Sequence, residues 1–158
     1  DKGENLYRRS VYTFWKRTGP SPMMMTLDSS KKDVCRVKRE ETASPLQSLV
    51  LLNSPQFTEA ARVTAESLLE KHGEKSAAII EEAFRLFTSR EAVQKKRSIL
   101  QSLLEEQIAY FQAHPSKALE YFESGDKAPP KTDLPAQLAG VAVLVSTLMN
   151  FDESITKR

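Results

Sequence analysis

The feature that most constrains this chain is the segment SPLQSLVLLNSP, in which two Ser-Pro pairs lie ten residues apart around an almost unbroken apolar run. Proline has no amide hydrogen to donate and suits the first turn of a helix, and the preceding serine can cap that helix. Ser44 and Gln47 also have the spacing of a capping box. The segment therefore predicts a short helix over residues 45–53 and a second helix that begins at Pro55.

The first of these two helices is predicted to be buried on nearly all sides. Its apolar residues are so closely spaced that hardly any polar face remains; they are Leu46, Leu49, Val50, Leu51 and Leu52. A helix that is hydrophobic all round belongs in the centre of a protein. We therefore expect the other helices to pack around residues 45–53.

Helical periodicity recurs along most of the remaining chain. It predicts further helices over residues 6–18, 55–72, 75–88, 90–113, 116–123 and 134–150, with Gly73 ending one and Asp133 capping the last. Residues 20–41 are predicted to form an irregular connector packed on the surface. The apolar run 138–145 is too short for a membrane span, which needs about 20 residues, so it is interpreted as a core helix.

These patterns together predict an all-α fold. We expect a single-domain helical bundle of about six helices over residues 1–158, with a long irregular connector between the first and second helix. No stretch of strand length alternates apolar and polar residues. The opening residues, which lack an initiator methionine, also suggest a fragment of a longer protein.

Charge is unevenly distributed along the chain. Residues 1–40 carry 10 Lys/Arg against 5 Asp/Glu, and the remaining residues carry 13 against 16, so that the formal net charge is only +2. A small total charge disfavours bulk attraction to nucleic acid or anionic lipid. A basic N-terminal quarter is therefore followed by a mildly acidic remainder.

The sequence assigns no catalytic residue, no metal site and no cofactor to this stretch of chain. His72 and His114 lie far apart and have no further ligand at metal-binding spacing. The adjacent carboxylates Glu81 and Glu82 point in different directions on a helix and cannot form an acid–base couple. Cys35 is the only cysteine, and we expect a small, partly buried structural residue there. No Cys-x-x-Cys-His motif for haem attachment occurs.

One segment combines aromatic and basic residues, YRRSVYTFWKR over residues 7–17. One interpretation is an amphipathic helix whose aromatic side packs on the bundle while its cations face solvent or an acidic neighbour. The other is recognition of phosphate, sugar or nucleic acid by stacking and charge. The candidate partner- or anion-binding residues are Arg8, Arg9, Tyr12, Trp15, Lys16, Arg17 and, in the connector, Arg39. Met23–Met25 are predicted to insert into the protein's own core, with an adaptable interface plug as the alternative.

The chain resembles the C-terminal conserved domain, of unknown function, of planctomycete-type cytochrome-c-associated proteins. The resemblance runs through nearly the whole chain and is densest over residues 8–62. The stretches that carry it are RRSVYTFWKR (8–17), PM (22–23), DVC (33–35), Arg39, Thr42, SPLQSLVLLNSPQF (44–57), EAAR (59–62) and LMNFDE (148–153). It implies a module of a large exported protein, often one with a cytochrome c domain, and therefore an extracytoplasmic location.

The sequence is consistent with two functions. The first is a non-catalytic docking or assembly module that binds other domains of its parent chain or a protein partner. The alternative is a carbohydrate- or polymer-binding or processing domain that uses the aromatic and basic residues of the first helix. Nucleic acid is disfavoured as a partner, and no membrane span is expected.

Overall fold

The computed structural model describes residues 3, 7, 9–16, 19–30, 35, 37–38, 42 and 44–155. Within these residues it contains no strand, which confirms the all-α prediction. A one-turn 3-10 helix covers Ser10–Tyr12, and the α-helices are α1 (Pro22–Thr26), α2 (Pro45–Asn53), α3 (Pro55–His72), α4 (Ser76–Thr88), α5 (Gln94–Ala113), α6 (Pro115–Phe122), α7 (Pro135–Met149) and α8 (Asp152–Ile155).

The chain divides into two compact units, Asp1–Val50 and Leu51–Arg158. The boundary falls inside α2. The single domain over residues 1–158 stays a prediction.

The start of α2 is built as the sequence predicts. The backbone amide of Ser44 donates to Oε1 of Gln47 at 2.9 Å, and the amide of Gln47 donates to Oγ of Ser44 at 3.3 Å. This reciprocal pair is a capping box, because each side chain accepts the backbone amide of the other residue at the start of the helix. Ser44 and Pro45 therefore fix the first residue of α2.

Gln47 also ties the first unit together. Its side-chain amide donates to Oδ2 of Asp28 at 3.1 Å and to Oγ1 of Thr42 at 2.9 Å. The same carboxylate accepts the backbone amide of Thr42 at 2.7 Å and its hydroxyl at 2.9 Å. Asp28 adopts a left-handed backbone conformation, with φ of 57°, which short polar side chains tolerate best. The network joins the end of α1 to the start of α2.

The predicted helix over residues 6–18 is wrong for the residues that the structure describes. Among residues 9–16, only Ser10–Tyr12 form a helical turn, and Thr13 is already extended, with ψ of 134°. The run Val11–Trp15 consists of β-branched and aromatic residues, which lose side-chain freedom in a helix. The connector prediction is also wrong in part, because Pro22–Thr26 form a short helix on which Met23–Met25 are half-buried.

The core of the second unit surrounds α7. Nine of its fifteen residues are buried, and α7 packs most extensively against α5 and α3 and also against α4, α6 and α8. Small residues allow this crowding, since Ala139, Gly140 and Ala142 let neighbouring helices approach closely. The interpretation of residues 138–145 as a core helix is confirmed.

The expectation that α2 is buried on nearly all sides is wrong. Leu46, Leu49 and Leu52 are 56%, 55% and 48% exposed. Only Gln47 and Leu51 are buried on this helix. The apolar patterns of α2 and α7 look alike, but α2 has only nine residues, all larger than glycine or alanine. It therefore offers no small surface against which several helices can pack.

The remaining differences from the sequence predictions are local. Helix α3 runs from Pro55 to His72 and ends at Gly73, as predicted. Helix α5 begins at Gln94 instead of residue 90. Leu134, and not Asp133, caps α7, and its amide is bound by Oγ1 of Thr132 at 3.1 Å. In addition, Cys35 is exposed instead of partly buried.

Candidate functional site

The aromatic-basic segment, residues 7–16, presents large side chains to solvent. Tyr12 is 74% exposed and Phe14 is 85% exposed, and Tyr7 and Val11 are exposed as well. The 3-10 turn links Tyr12 to Arg9 through the backbone, because the amide of Tyr12 donates to the carbonyl of Arg9 at 2.9 Å. The interpretation in which the aromatic side of this segment packs into the bundle is wrong for Tyr12 and Phe14.

The predicted site residues are only partly brought together. On the aromatic-basic segment Arg9, Tyr12 and Lys16 are exposed. Trp15, which lies between Tyr12 and Lys16 in the sequence, is half-buried. Arg8, Arg17 and Arg39 lie outside the described residues. The described part therefore offers two cations and exposed rings on one short stretch of chain.

The most strongly built polar site lies elsewhere, at the first turns of α3. Glu59 and Arg62 are both buried, and both grip the loop that follows α6. Oε2 of Glu59 accepts the amides of Asp126 at 2.6 Å and Lys127 at 3.2 Å. We call this arrangement, Glu59 and Arg62 with loop residues 125–128, the α3 clamp.

Arg62 completes the α3 clamp from the next turn of the helix. Its Nη2 donates to the carbonyl of Lys127 at 2.9 Å, and its Nη1 donates to the carbonyl of Ala128 at 3.3 Å and to Oε1 of Glu66 at 2.9 Å. Its Nε is buried without a hydrogen bond. Because a buried charge is costly unless it is paired, these bonds are what allows Arg62 to lie inside the protein.

Gly125 is needed where the loop meets Glu59. Its φ is +104°, and a Cβ at this position would lie 2.2 Å from Oε2 of Glu59 and 2.7 Å from its Cβ. Only glycine gives both the conformation and the space. Both carboxylate and guanidinium bind backbone groups, so the α3 clamp holds a loop in place.

Glu59 and Arg62 belong to the EAAR stretch that carries the family resemblance, and the sequence alone predicts no role for them. Their partners follow more than sixty residues later. A local pattern could have identified them. Glu59 and Arg62 carry opposite charges on a helix face that also holds the buried Ala61 and Ala65. Charges on an otherwise buried face require buried partners.

A second charged cluster joins the end of α3 to α4. Nζ of Lys71 lies 2.6 Å from Oε1 of Glu82, and Nε2 of His72 contacts Oε2 of the same carboxylate. Hydrogen bonds from Lys71, which has the larger effect, and from His72 lower the pKa of Glu82 below its ordinary value. Lys71 and His72 also lie in the last turn of α3, where the helix dipole favours a positive charge such as that of Lys71.

The second unit has several concave spaces on its surface, two of which lie between helices. A groove of about 410 Å³ runs between α4 and α5, and a smaller cavity of about 130 Å³ lies where the α3–α4 turn meets α5 and α7. Among the described residues no group of three His, Cys, Asp or Glu side chains converges as a metal would require. In the same part of the chain, no helix combines the length and apolar character of a membrane span.

Comparison with known proteins gives one match. Residues 1–104 match the family PSD1, described as "Protein of unknown function (DUF1553)". No curated protein and no solved structure matches the chain significantly. The matched range includes Glu59 and Arg62 and ends within α5, whereas the loop held by the α3 clamp follows it in sequence.

Proposed function

This chain belongs to the family described as protein of unknown function (DUF1553), and on that premise we propose that it is a non-catalytic docking module. The aromatic-basic segment is the part that binds the partner. The partner is an acidic protein surface, carried by another part of a longer parent chain or by a separate protein.

One observation carries this proposal: Tyr7, Val11, Tyr12 and Phe14 are all exposed within eight residues. Aromatic side chains with nearby arginine are the residues that most often supply binding energy at protein interfaces. Arg9 and Lys16 add positive charge at either side of Tyr12 and Phe14. Charge of one sign beside apolar rings favours a partner surface that is acidic around an apolar centre.

Binding, as opposed to catalysis, is also supported by the state of the buried polar groups. The carboxylate of Glu59 and the guanidinium of Arg62 bind backbone atoms of the protein itself. A catalytic acid or base must be able to reach a substrate proton. These two groups are instead enclosed within the second unit.

A photo-cross-linking experiment tests the proposal. A benzophenone amino acid replaces Phe14 in cells that produce the protein, and the matched control replaces Leu119, an exposed residue of α6. We expect position 14 to cross-link to one acidic protein surface, within the same chain or between chains, and position 119 not to do so. Reversing the charges of Arg9 and Lys16 to Glu should reduce the cross-link yield about ten-fold. Equal cross-linking from both positions would contradict the proposal.

The carbohydrate-binding alternative is favoured by one observation, the exposure of Tyr12 and Phe14 beside Arg9 and Lys16. Exposed rings can stack on sugar faces. A panel of neutral and polyanionic glycans distinguishes the two functions. Binding that is lost in Tyr12→Ala, together with no protein cross-link from position 14, would favour the glycan.

The resemblance to planctomycete-type cytochrome-c-associated proteins adds two further proposals: the parent protein is exported, and it is associated with a cytochrome c domain. Both are tested by locating the protein in fractionated cells and by staining the full-length chain for covalent haem. A full-length protein found only in the cytoplasm would contradict the first proposal.

A further inference from the structure

The cavity of about 130 Å³ in the second unit has a floor and a rim of different chemistry. Its floor is apolar and comes from α3, α4, α5 and α7; the residues are Leu69, Ile79, Leu104, Ile108 and Val141. Its rim is polar and consists of Glu74, Ser76 and Gln137. A concave apolar space with a few convergent polar groups is the usual form of a small-molecule site.

The polar groups of the rim have unused hydrogen-bonding capacity. Within the described part of the chain, the side chains of Glu74, Ser76 and Gln137 make no hydrogen bond to the protein. The larger groove between α4 and α5 differs in this respect. There, Ser98 donates to the carbonyl of Lys95 at 2.9 Å and Gln101 donates to Oε1 of Glu105 at 2.6 Å, while Arg97 and Glu81 form an ion pair at 2.8 Å.

The size of the cavity limits what it can hold. An apolar cavity of roughly 150 Å³ accommodates a benzene molecule, so about 130 Å³ suits a single six-membered ring or an aliphatic group of similar size. The three rim residues supply both donors and acceptors. A ligand that matches this space has an apolar body and one hydroxyl or amide group.

We propose that this cavity is a binding site for a small neutral amphiphile, with the apolar body against the partly exposed Leu69 and Ile108 and the polar group hydrogen-bonded to Ser76 and Gln137. The site is independent of the aromatic-basic segment and does not rest on the docking proposal. Phenol and toluene are the matched probes, because they have the same ring and differ in the hydroxyl group.

Methyl-resolved NMR titration of the full chain tests the proposal. We expect both probes to shift the methyl signals of Ile79, Leu104 and Val141, while the exposed Ile99 on α5 stays unchanged. Phenol should bind about three- to ten-fold more tightly than toluene, which is the range that one net hydrogen bond provides. The double variant Ser76→Ala with Gln137→Leu should remove this preference and keep toluene binding.

A second pair of variants tests the location of the site. Leu69→Phe fills the cavity and should abolish binding of both probes. Leu103→Phe makes the same change at another partly buried leucine packed against the core and should leave binding intact. No methyl shifts with either probe, equal affinity for both probes, or equal effects of the two phenylalanine variants would each overturn the proposal.

Discussion

Oε2 of Glu59 lies 2.6 Å from the backbone nitrogen of Asp126, 67 residues further along the chain. The charge of α3 is therefore used to fix the loop between α6 and α7. Since α7 is the helix around which the second unit packs, the α3 clamp controls how the chain enters its own core. Its disruption should affect folding more than any exposed charge does.

The first prediction concerns Glu59. Replacing it with alanine leaves the amides of Asp126 and Lys127 without their acceptor, so Glu59→Ala should lower the free energy of unfolding by about 1.5–3 kcal/mol. Chemical denaturation measures this loss. Glu70→Ala, at an exposed residue of the same helix, is the control and should change it by about 0.5 kcal/mol or less.

Gly125 provides a double-mutant cycle for the same contact. Gly125→Ala introduces a Cβ that meets Glu59 at 2.2 Å, and it should be destabilising in the normal chain. In the Glu59→Ala background the carboxylate that this Cβ would meet is absent. Gly125→Ala should therefore lower the free energy of unfolding by less than it does in the normal chain. Strictly additive losses would mean that Gly125 is needed for its backbone conformation only.

The second prediction concerns Gly140, where α7 crosses α5. A Cβ there would lie 2.7 Å from Cγ1 of Ile108 and 3.2 Å from its backbone nitrogen. Alanine gains about 1 kcal/mol of helix propensity over glycine, but overpacking a core costs roughly 1–3 kcal/mol. The backbone contact cannot be relieved by a side-chain rotation, so Gly140→Ala should be destabilising overall. A thermally stabilised variant would show that α7 shifts at little cost.

Sequence patterns predicted the helices well and their packing less well. Ser44, Pro45 and Gln47 carry local chemistry that fixes where α2 begins, and the structure confirms it. Whether α2 or α7 lies at the centre depends on contacts with other helices, which the apolar pattern does not contain. The α3 clamp cannot be predicted from the sequence for a related reason. Arg62 binds backbone carbonyls, which every residue type has, so the sequence of the loop does not reveal the contact.

The third prediction separates the two apolar helices. Leu144 is fully buried on α7, whereas Leu49 on α2 is half exposed. Leu144→Ala should lower the free energy of unfolding by roughly 2–5 kcal/mol because it leaves a cavity. Leu49→Ala removes the same atoms from a wetter site and should cost about 1 kcal/mol or less. Equal losses in urea denaturation would show that α2 is covered in solution.

The fourth prediction concerns acid stability. Hydrogen bonds from Lys71 and His72 lower the pKa of Glu82 from its ordinary value of 4.5. The stabilising contribution of this carboxylate is therefore fully present above the unfolded-state pKa and is lost as the pH falls through the lower folded-state pKa. Lys71→Met should weaken this acid dependence of unfolding, and Lys75→Met, at an exposed residue outside the cluster, should not. An unchanged acid profile in Lys71→Met would contradict the assignment.

The fifth prediction concerns alkaline pH. Burial raises the pKa of Tyr121 from 10.0 to about 12. Because the folded chain then holds a proton that the unfolded chain releases, stability should fall as the pH rises between these two values. Tyrosinate absorbance should therefore show one late step among the four tyrosines. Tyr121→Phe should remove that step, whereas Tyr12→Phe, at an exposed ring, should keep it. If the absorbance step at high pH remained in Tyr121→Phe, the tyrosine with the raised pKa would be a residue other than Tyr121.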